Sequence, residues 1–198
     1  QNNSIVFYSF FAMKGDLRAL DVRNKKVIVR VDFNVPLSKD FQVTDDTRLR
    51  GALPTIEYLV EKGAKIILVS HFARPLAKLL PDGEIDRNKF SLRHVVPALS
   101  ALLGKEVAFF PDCVGEAVLQ KTNELGSGDI LLLENTRFHA GEEKGDPAMA
   151  AQLASLGDIY INDAFGAAHR AHASTTVVAN HFDAAHKAFG YLMQLELD

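Results

Sequence analysis

The 198-residue chain has one cysteine, no tryptophan and three methionines. A single thiol, Cys113, cannot form an internal disulfide, so a reducing compartment is the simpler setting. No apolar run approaches the ~20 residues that span a bilayer. Neither sign of charge dominates: 22 Lys+Arg against 25 Asp+Glu leave a formal net charge of −3, which argues against a general nucleic-acid binder. Internal repeats, low-complexity tracts and long linkers are missing as well. So are the usual nucleotide loops. No G-x-x-x-x-G-K-[ST] occurs, and no G-x-G-x-x-G opens a helix after a strand; Gly126-Ser127-Gly128 precedes a strand instead. A Walker-type or dinucleotide site is therefore disfavoured, and with it a doubly wound oxidoreductase. What is present is 47% hydrophobic content beside 24% charge, which excludes a disordered chain and supplies a real core.

Five short β-rich runs punctuate the chain: 27–33 (VIVRVDF), 65–70 (KIILVS), 106–110 (EVAFF), 130–133 (ILLL) and 159–162 (IYIN). Several are apolar on both faces, as strands buried in a parallel sheet must be. Helical periodicity lies between them. Residues 48–62 place Leu49, Leu53, Ile56 and Leu59/Val60 on one side, and 92–103 repeat Leu92, Val95/Val96, Leu99 and Leu102/Leu103. Residues 114–125 and 147–156 complete the series, the latter with Pro147 at the first helical position. Strand–helix alternation of this size predicts an α/β fold, a doubly wound parallel sheet flanked by helices with right-handed connections. Residues 76–88 read as the one extended polar loop, and the acidic Gly141-Glu142-Glu143 as a solvated one.

The chain opens at Gln1, and residues 5–12 (IVFYSFFA) are apolar with no basic residue before them. Two readings of 1–16 stay open: an artefactual or upstream extension, or the tail of a targeting peptide. Residues 190–198 (GYLMQLELD) read as an amphipathic helix without a C-cap. The expected organisation is thus an extension over 1–16, an α/β domain over 17–190, and the start of a further helix over 191–198.

Open α/β sheets bind ligands beyond the carboxyl ends of their strands. After the first run come Asp32 and Asn34, then Arg48 at the entrance to the next helix. After the second comes Ser70-His71-Phe72-Ala73-Arg74-Pro75, after the fourth Glu134-Asn135-Thr136-Arg137-Phe138-His139, and after the fifth the stretch from Asp163 to Arg170. Four arginines (Arg48, Arg74, Arg137, Arg170) therefore converge on one rim of a slightly acidic chain. Guanidinium forks bind phosphate and carboxylate oxygens in bidentate fashion, so the rim predicts a site for a small, multiply charged anion. Asp32 and Asn34 are placed to meet hydroxyls beside those charges. His169 and His172 have i, i+3 spacing, but neither a cysteine nor a carboxylate completes a ligand set, and no metal is expected. Cys113 is expected to be packed and unreactive.

These residues carry a resemblance. Arg30-Val31-Asp32-Phe33-Asn34-Val35-Pro36 resembles the RVDFNVP signature of the phosphoglycerate kinase family, and Ser70-His71-Phe72-Ala73-Arg74-Pro75 resembles its SHLGRP. Leu133 to Phe138 resembles LLEN-x-RF, Asn162 to Ser174 resembles NDAFG-x-AHRAHAS, and Gly190 to Asp198 resembles GFLMQKELD. The resemblance runs from about Leu17 to Asp198. It implies the N-terminal, Rossmann-like substrate lobe of a two-lobed phosphotransferase with a carboxyl group as acceptor. That enzyme interconverts 1,3-bisphosphoglycerate plus ADP with 3-phosphoglycerate plus ATP, in glycolysis or carbon fixation. Carried over by motif, Asp32, Phe33 and Asn34 contact the glycerate. His71, Arg74, Arg137 and Arg170 grip the substrate phosphate, His169 adds to the basic patch, and Arg48 faces the phosphoryl group in flight as the catalytic residue. Mg-ATP or Mg-ADP is expected on the C-terminal lobe, absent from this chain, so no cofactor is expected here and the chain alone is expected to be inactive. A monomer with no nucleic-acid or membrane partner follows, in the cytoplasm or, alternatively, the plastid stroma. The competing reading is a single-lobe, non-catalytic module for a small phosphorylated anion. The family's Leu-Gly is replaced by Phe72-Ala73, which sets a methyl group where glycine permits φ > 0 or a close backbone approach, and 184–190 (AAHKAFG) also departs from the family pattern.

Overall fold

A computed structural model describes residues 15–167 and 170–197. Six parallel strands form one sheet: β1 (Lys26–Arg30), β2 (Lys65–Val69), β3 (Ala108–Phe110), β4 (Ile130–Leu133), β5 (Ile159–Asn162) and β6 (Lys187–Phe189), in the order β3-β4-β2-β1-β5-β6. On one side of β1 the chain lays down β2, then β3 at the far edge, then β4 in the gap between β2 and β3. It then crosses back to lay β5 on the other side of β1, with Val27 opposite both Ile66 and Ile159. That reversal sets the crevice where such sheets take ligands.

Alternation along the strands divides two cores. Val27, Val29, Ile66, Leu68, Ile130, Leu132, Ile159 and Ile161 face one layer. It is covered by α1 (Thr47–Glu61), through Leu49, Ala52, Ile56 and Leu59, and by α2 (Val96–Leu103), through Leu99. Ile28, Ile67, Leu131, Leu133 and Tyr160 face the other. There α3 (Glu116–Asn123) contributes Val118 and α5 (Pro147–Ala154) contributes Met149, Ala150 and Leu153. The expected doubly wound architecture is what the sheet shows. No helix among the described residues is long and apolar enough to cross a membrane.

Boundaries differ where backbone chemistry intervenes. The expected helix over 92–103 splits into a 3-10 turn (Leu92–Val95) and α2, because Pro97 has no N–H to return to the Arg93 carbonyl. Gly115 at φ 115° delays α3 to Glu116. The acidic loop is a helical turn, α4 (Gly141–Lys144), in which Glu142 is fully buried. The expectation of a solvated loop is corrected there: Glu142 has inward partners on Ser174. Strand β6 was not foreseen; it is three residues long and pairs with β5 before Gly190 turns the chain into α6 (Tyr191–Leu197).

Candidate functional site

Four strand ends close on one cavity of about 240 Å³. Asp32 and Asn34 reach it from β1, His71, Ala73 and Arg74 from β2, Arg137 from the turn after β4, and Gly166, Ala167 and Arg170 from the turn after β5. Arg48 joins them from the first turn of α1. The cavity is below the ~300–1,000 Å³ of drug-sized ligand sites, so it suits a small ligand.

The first strand ends because its hydrogen bonds change partner. Val31 N–H still meets Val69 O at 2.9 Å. Phe33 N–H donates instead to Ser70 Oγ at 2.9 Å, which ties the β1 and β2 exits together. Asn34 Oδ1 then accepts from Ala73 N–H at 2.9 Å. Asn135 braces the same loop from the β4 side, accepting from Phe72 N–H at 2.9 Å and donating to the carbonyls of Phe72 (2.6 Å) and Phe90 (3.1 Å). Backbone donors and acceptors at the mouth of the crevice are thus satisfied by neighbouring loops, which holds the side chains above them in place.

Ala73 takes φ 53°, the left-handed region that the family's glycine enters without cost. Despite that strain its carbonyl accepts from Arg137 Nη1 at 2.9 Å, so His71 and Arg137 are joined through the loop that carries the substitution. Arg137 is nearly buried, and its Nε lies 3.4 Å from Glu143 Oε1. Burial pushes its guanidinium below the ordinary value, while Glu143 pulls the other way. Arg48 Nη1 donates to Asn34 O at 2.6 Å and lies 3.4 Å from Asp32 Oδ1. Arg74 and Arg170 are exposed at the rim and have no carboxylate within 4.0 Å among the described residues. The lining therefore sets four guanidiniums against one carboxylate, a local excess of three positive charges.

His71 is buried at the back of the cavity. Desolvation first, then the positive charges of Arg30, Arg137 and Arg170 and the neighbouring His172, hold its imidazole down to about 2. It meets a ligand as a neutral ring.

Of the residues singled out by sequence, Asp32, Asn34, Arg48, His71, Arg74, Arg137 and Arg170 line this cavity together. Phe33 does not: its ring is fully buried in the α1-side core, and only its backbone serves the loop. His169 lies outside the described residues. Sequence reasoning also missed a trio of metal-ligating type, Asp112, Cys113 and His139, whose ligand atoms lie within 4.8 Å of one another. His139 Nε2 is bonded to Asp112 Oδ1 at 2.8 Å, and Cys113 is sealed, its thiol pushed well up by burial. The trio joins the adjacent Asp112 and Cys113 to His139, 26 residues beyond Cys113 and after a different strand, so no local spacing announces it.

The sequence matches the family model for phosphoglycerate kinase over residues 17–198. It is 52% identical over 184 residues to the cytosolic phosphoglycerate kinase of Triticum aestivum, covering 93% of this chain and 43% of that protein. Against the phosphoglycerate kinase of Moorella thermoacetica it is 52% identical over 182 residues, covering 92% and 44%. The fold superposes on the crystal structure of phosphoglycerate kinase from Pyrococcus horikoshii OT3 with a TM-score of 0.77 at 32% identity, covering 91% of this chain and 43% of that one. The chain spans less than half the length of the relatives it matches.

Proposed function

The chain belongs to the phosphoglycerate kinase family, and we propose that its basic cavity binds 3-phosphoglycerate for reversible phosphoryl transfer between 1,3-bisphosphoglycerate/ADP and 3-phosphoglycerate/ATP. The observation that carries the reading is the convergence of four guanidiniums from separate loops on a cavity with one carboxylate. A trianionic ligand of few atoms matches that excess. In this reading Arg74, Arg137 and Arg170 hold the substrate phosphate with His71 behind them, and Asp32 and Asn34 meet the hydroxyl and carboxylate end. Arg48, on the first turn of α1 and half-exposed, faces the phosphoryl group in transfer. Such a reaction needs in-line positioning and positive charge on the moving oxygens, and these side chains supply both.

The cavity does not fit Mg-nucleotide. It is small, and Asp32, its lining carboxylate, is already engaged by Arg48 and by Asn34 N–H at 3.1 Å. We place the nucleotide outside this cavity. The relative from Triticum aestivum is named as a cytosolic enzyme, which supports the same compartment for this chain.

Calorimetric titration with 3-phosphoglycerate tests the proposal. Saturable binding by the wild-type chain, weakened in each of the Arg74→Ala and Arg137→Ala variants and lost in the double variant, all of them still folded, is the expected result. A folded wild-type chain that takes up no heat across the titration would overturn it.

A further inference from the structure

His71 is held from behind by a chain of buried side chains that bridges up to 144 residues of sequence. Its Nδ1 lies 2.9 Å from Nη2 of Arg30. A guanidinium only donates, so Nδ1 accepts and the ring's proton sits on Nε2. Arg30 is fully buried and fully aimed: Nε donates to Ser174 Oγ at 2.8 Å, and Nη1 donates to the Val31 carbonyl. The Ser174 hydroxyl has one proton, and it goes to Glu142, with Oγ 2.6 Å from Oε2; Ser174 N–H donates to Oε1 at 2.8 Å. With that proton committed, Ser174 Oγ is left to accept from Arg30. Glu142 thereby keeps Ser174 Oγ free as an acceptor, Ser174 holds the Arg30 guanidinium in the orientation that aims Nη2 at the imidazole, and the buried carboxylate supplies the charge that a buried Arg30 requires.

We propose that Glu142, Ser174 and Arg30 are positioning residues that lock His71 as its Nε2–H tautomer and present that N–H to the phosphate of the bound ligand. The second half rests on the function proposed above; the tautomer does not. The opposite tautomer would turn a lone pair towards an anion. The relay thus lets His71 add a hydrogen bond without adding charge, in a cavity where the guanidiniums already carry the charge.

Two-bond ¹H–¹⁵N spectra of the 198-residue chain read the tautomer directly, with the His71 signals assigned by a His71→Gln variant. Wild type is expected to show Nε2–H. In Ser174→Ala the His71 nitrogens should move towards a mixture of tautomers, and 3-phosphoglycerate binding should weaken about tenfold, as for one hydrogen bond to a charged group. Thr122→Val, which removes a buried hydroxyl bonded to the Leu119 carbonyl on α3, should leave both unchanged and so separates the relay from general loosening. If Ser174→Ala does not fold, Glu142→Gln, which keeps the volume and removes the charge, is read in its place. An Nδ1–H or charged His71 in wild type, or a folded relay variant with unmoved His71 nitrogens, overturns the proposal. Wild type with Nε2–H that ignores 3-phosphoglycerate would sink the substrate reading and leave the relay standing.

Discussion

Ala73 sits at φ 53° with its N–H on Asn34 Oδ1 and its carbonyl on Arg137. An L-residue there costs about 1–2 kcal/mol through its Cβ, and glycine would remove that cost while adding unfolded-state entropy of up to ~1 kcal/mol. Ala73→Gly is therefore expected to raise stability by the difference, on the order of 1 kcal/mol, or roughly 2–4 °C in Tm for a chain of this length. Thermal unfolding followed by circular dichroism checks it, and an unchanged or lower midpoint would mean the loop has already absorbed the methyl group. From the motif, the glycine that Ala73 replaces could serve a positive φ or a close backbone approach, and the structure shows the positive φ. Phe33 shows the converse: its ring is buried in the core and only its backbone faces the neighbouring loop, so membership in the motif does not by itself put a side chain in the cavity.

At the scale of elements, the junction between β6 and α6 is the most constrained. Asp163 Oδ1 accepts from Leu192 N–H (3.0 Å) and Met193 N–H (3.3 Å), holding the start of α6 against β5. A Cβ on Gly190 would lie 2.3 Å from Asp163 Cγ. Gly190→Ala must push that carboxylate off the helix, and a loss of about 1–3 kcal/mol is expected from the overpacking, measurable by urea denaturation. Burial raises Asp163 to about 6, a hydrogen bond with Thr55 and then those from the α6 backbone opposing the rise. The folded state then binds the proton more tightly than the unfolded state, whose value is near 3.8. This group's contribution is therefore full below pH ~4 and is lost as pH rises through about 6. Asp163→Asn, which stays neutral, should gain stability relative to wild type on going from pH 5 to pH 8, and parallel curves for the two proteins would refute the assignment. Neither β6 nor the Asp163 clamp was readable beforehand. Three residues after a 3-10 turn have too short a period to signal a strand, and the clamp joins residues 29 apart. Glu142 shows the same limit: in an acidic run the solvated reading is the natural one, and only the position of Ser174, 32 residues on, turns that carboxylate inward.

For the whole molecule, two charge distributions compete. The chain is net −3, which repels an anion at long range, while the cavity holds four guanidiniums against one carboxylate. The Debye length decides between them. At ~0.01 M salt it is about 30 Å, and at ~1 M about 3 Å, so added salt removes the distant repulsion first and then the attraction of the exposed Arg48, Arg74 and Arg170. The charges nearest the ligand contribute most, because interaction energy falls with distance, and the net effect is expected to be weakening with salt. This rim was legible because a parallel sheet sends every strand's following loop to one edge, so arginines scattered between positions 48 and 170 could be assigned to one place before any contact was known. The relay behind His71 was not legible, since Arg30 lies inside a strand whose apolar neighbours mark it only as core. Partial shielding of Arg137 beneath the rim adds a quantitative expectation. Its charge is screened less than the exposed three, so Arg137→Ala should flatten the salt dependence less than Arg74→Ala while costing at least as much affinity at high salt. Titrations of both variants across that salt range measure the two slopes, and a steeper loss of salt dependence in Arg137→Ala would place the ligand's charge deeper than the rim.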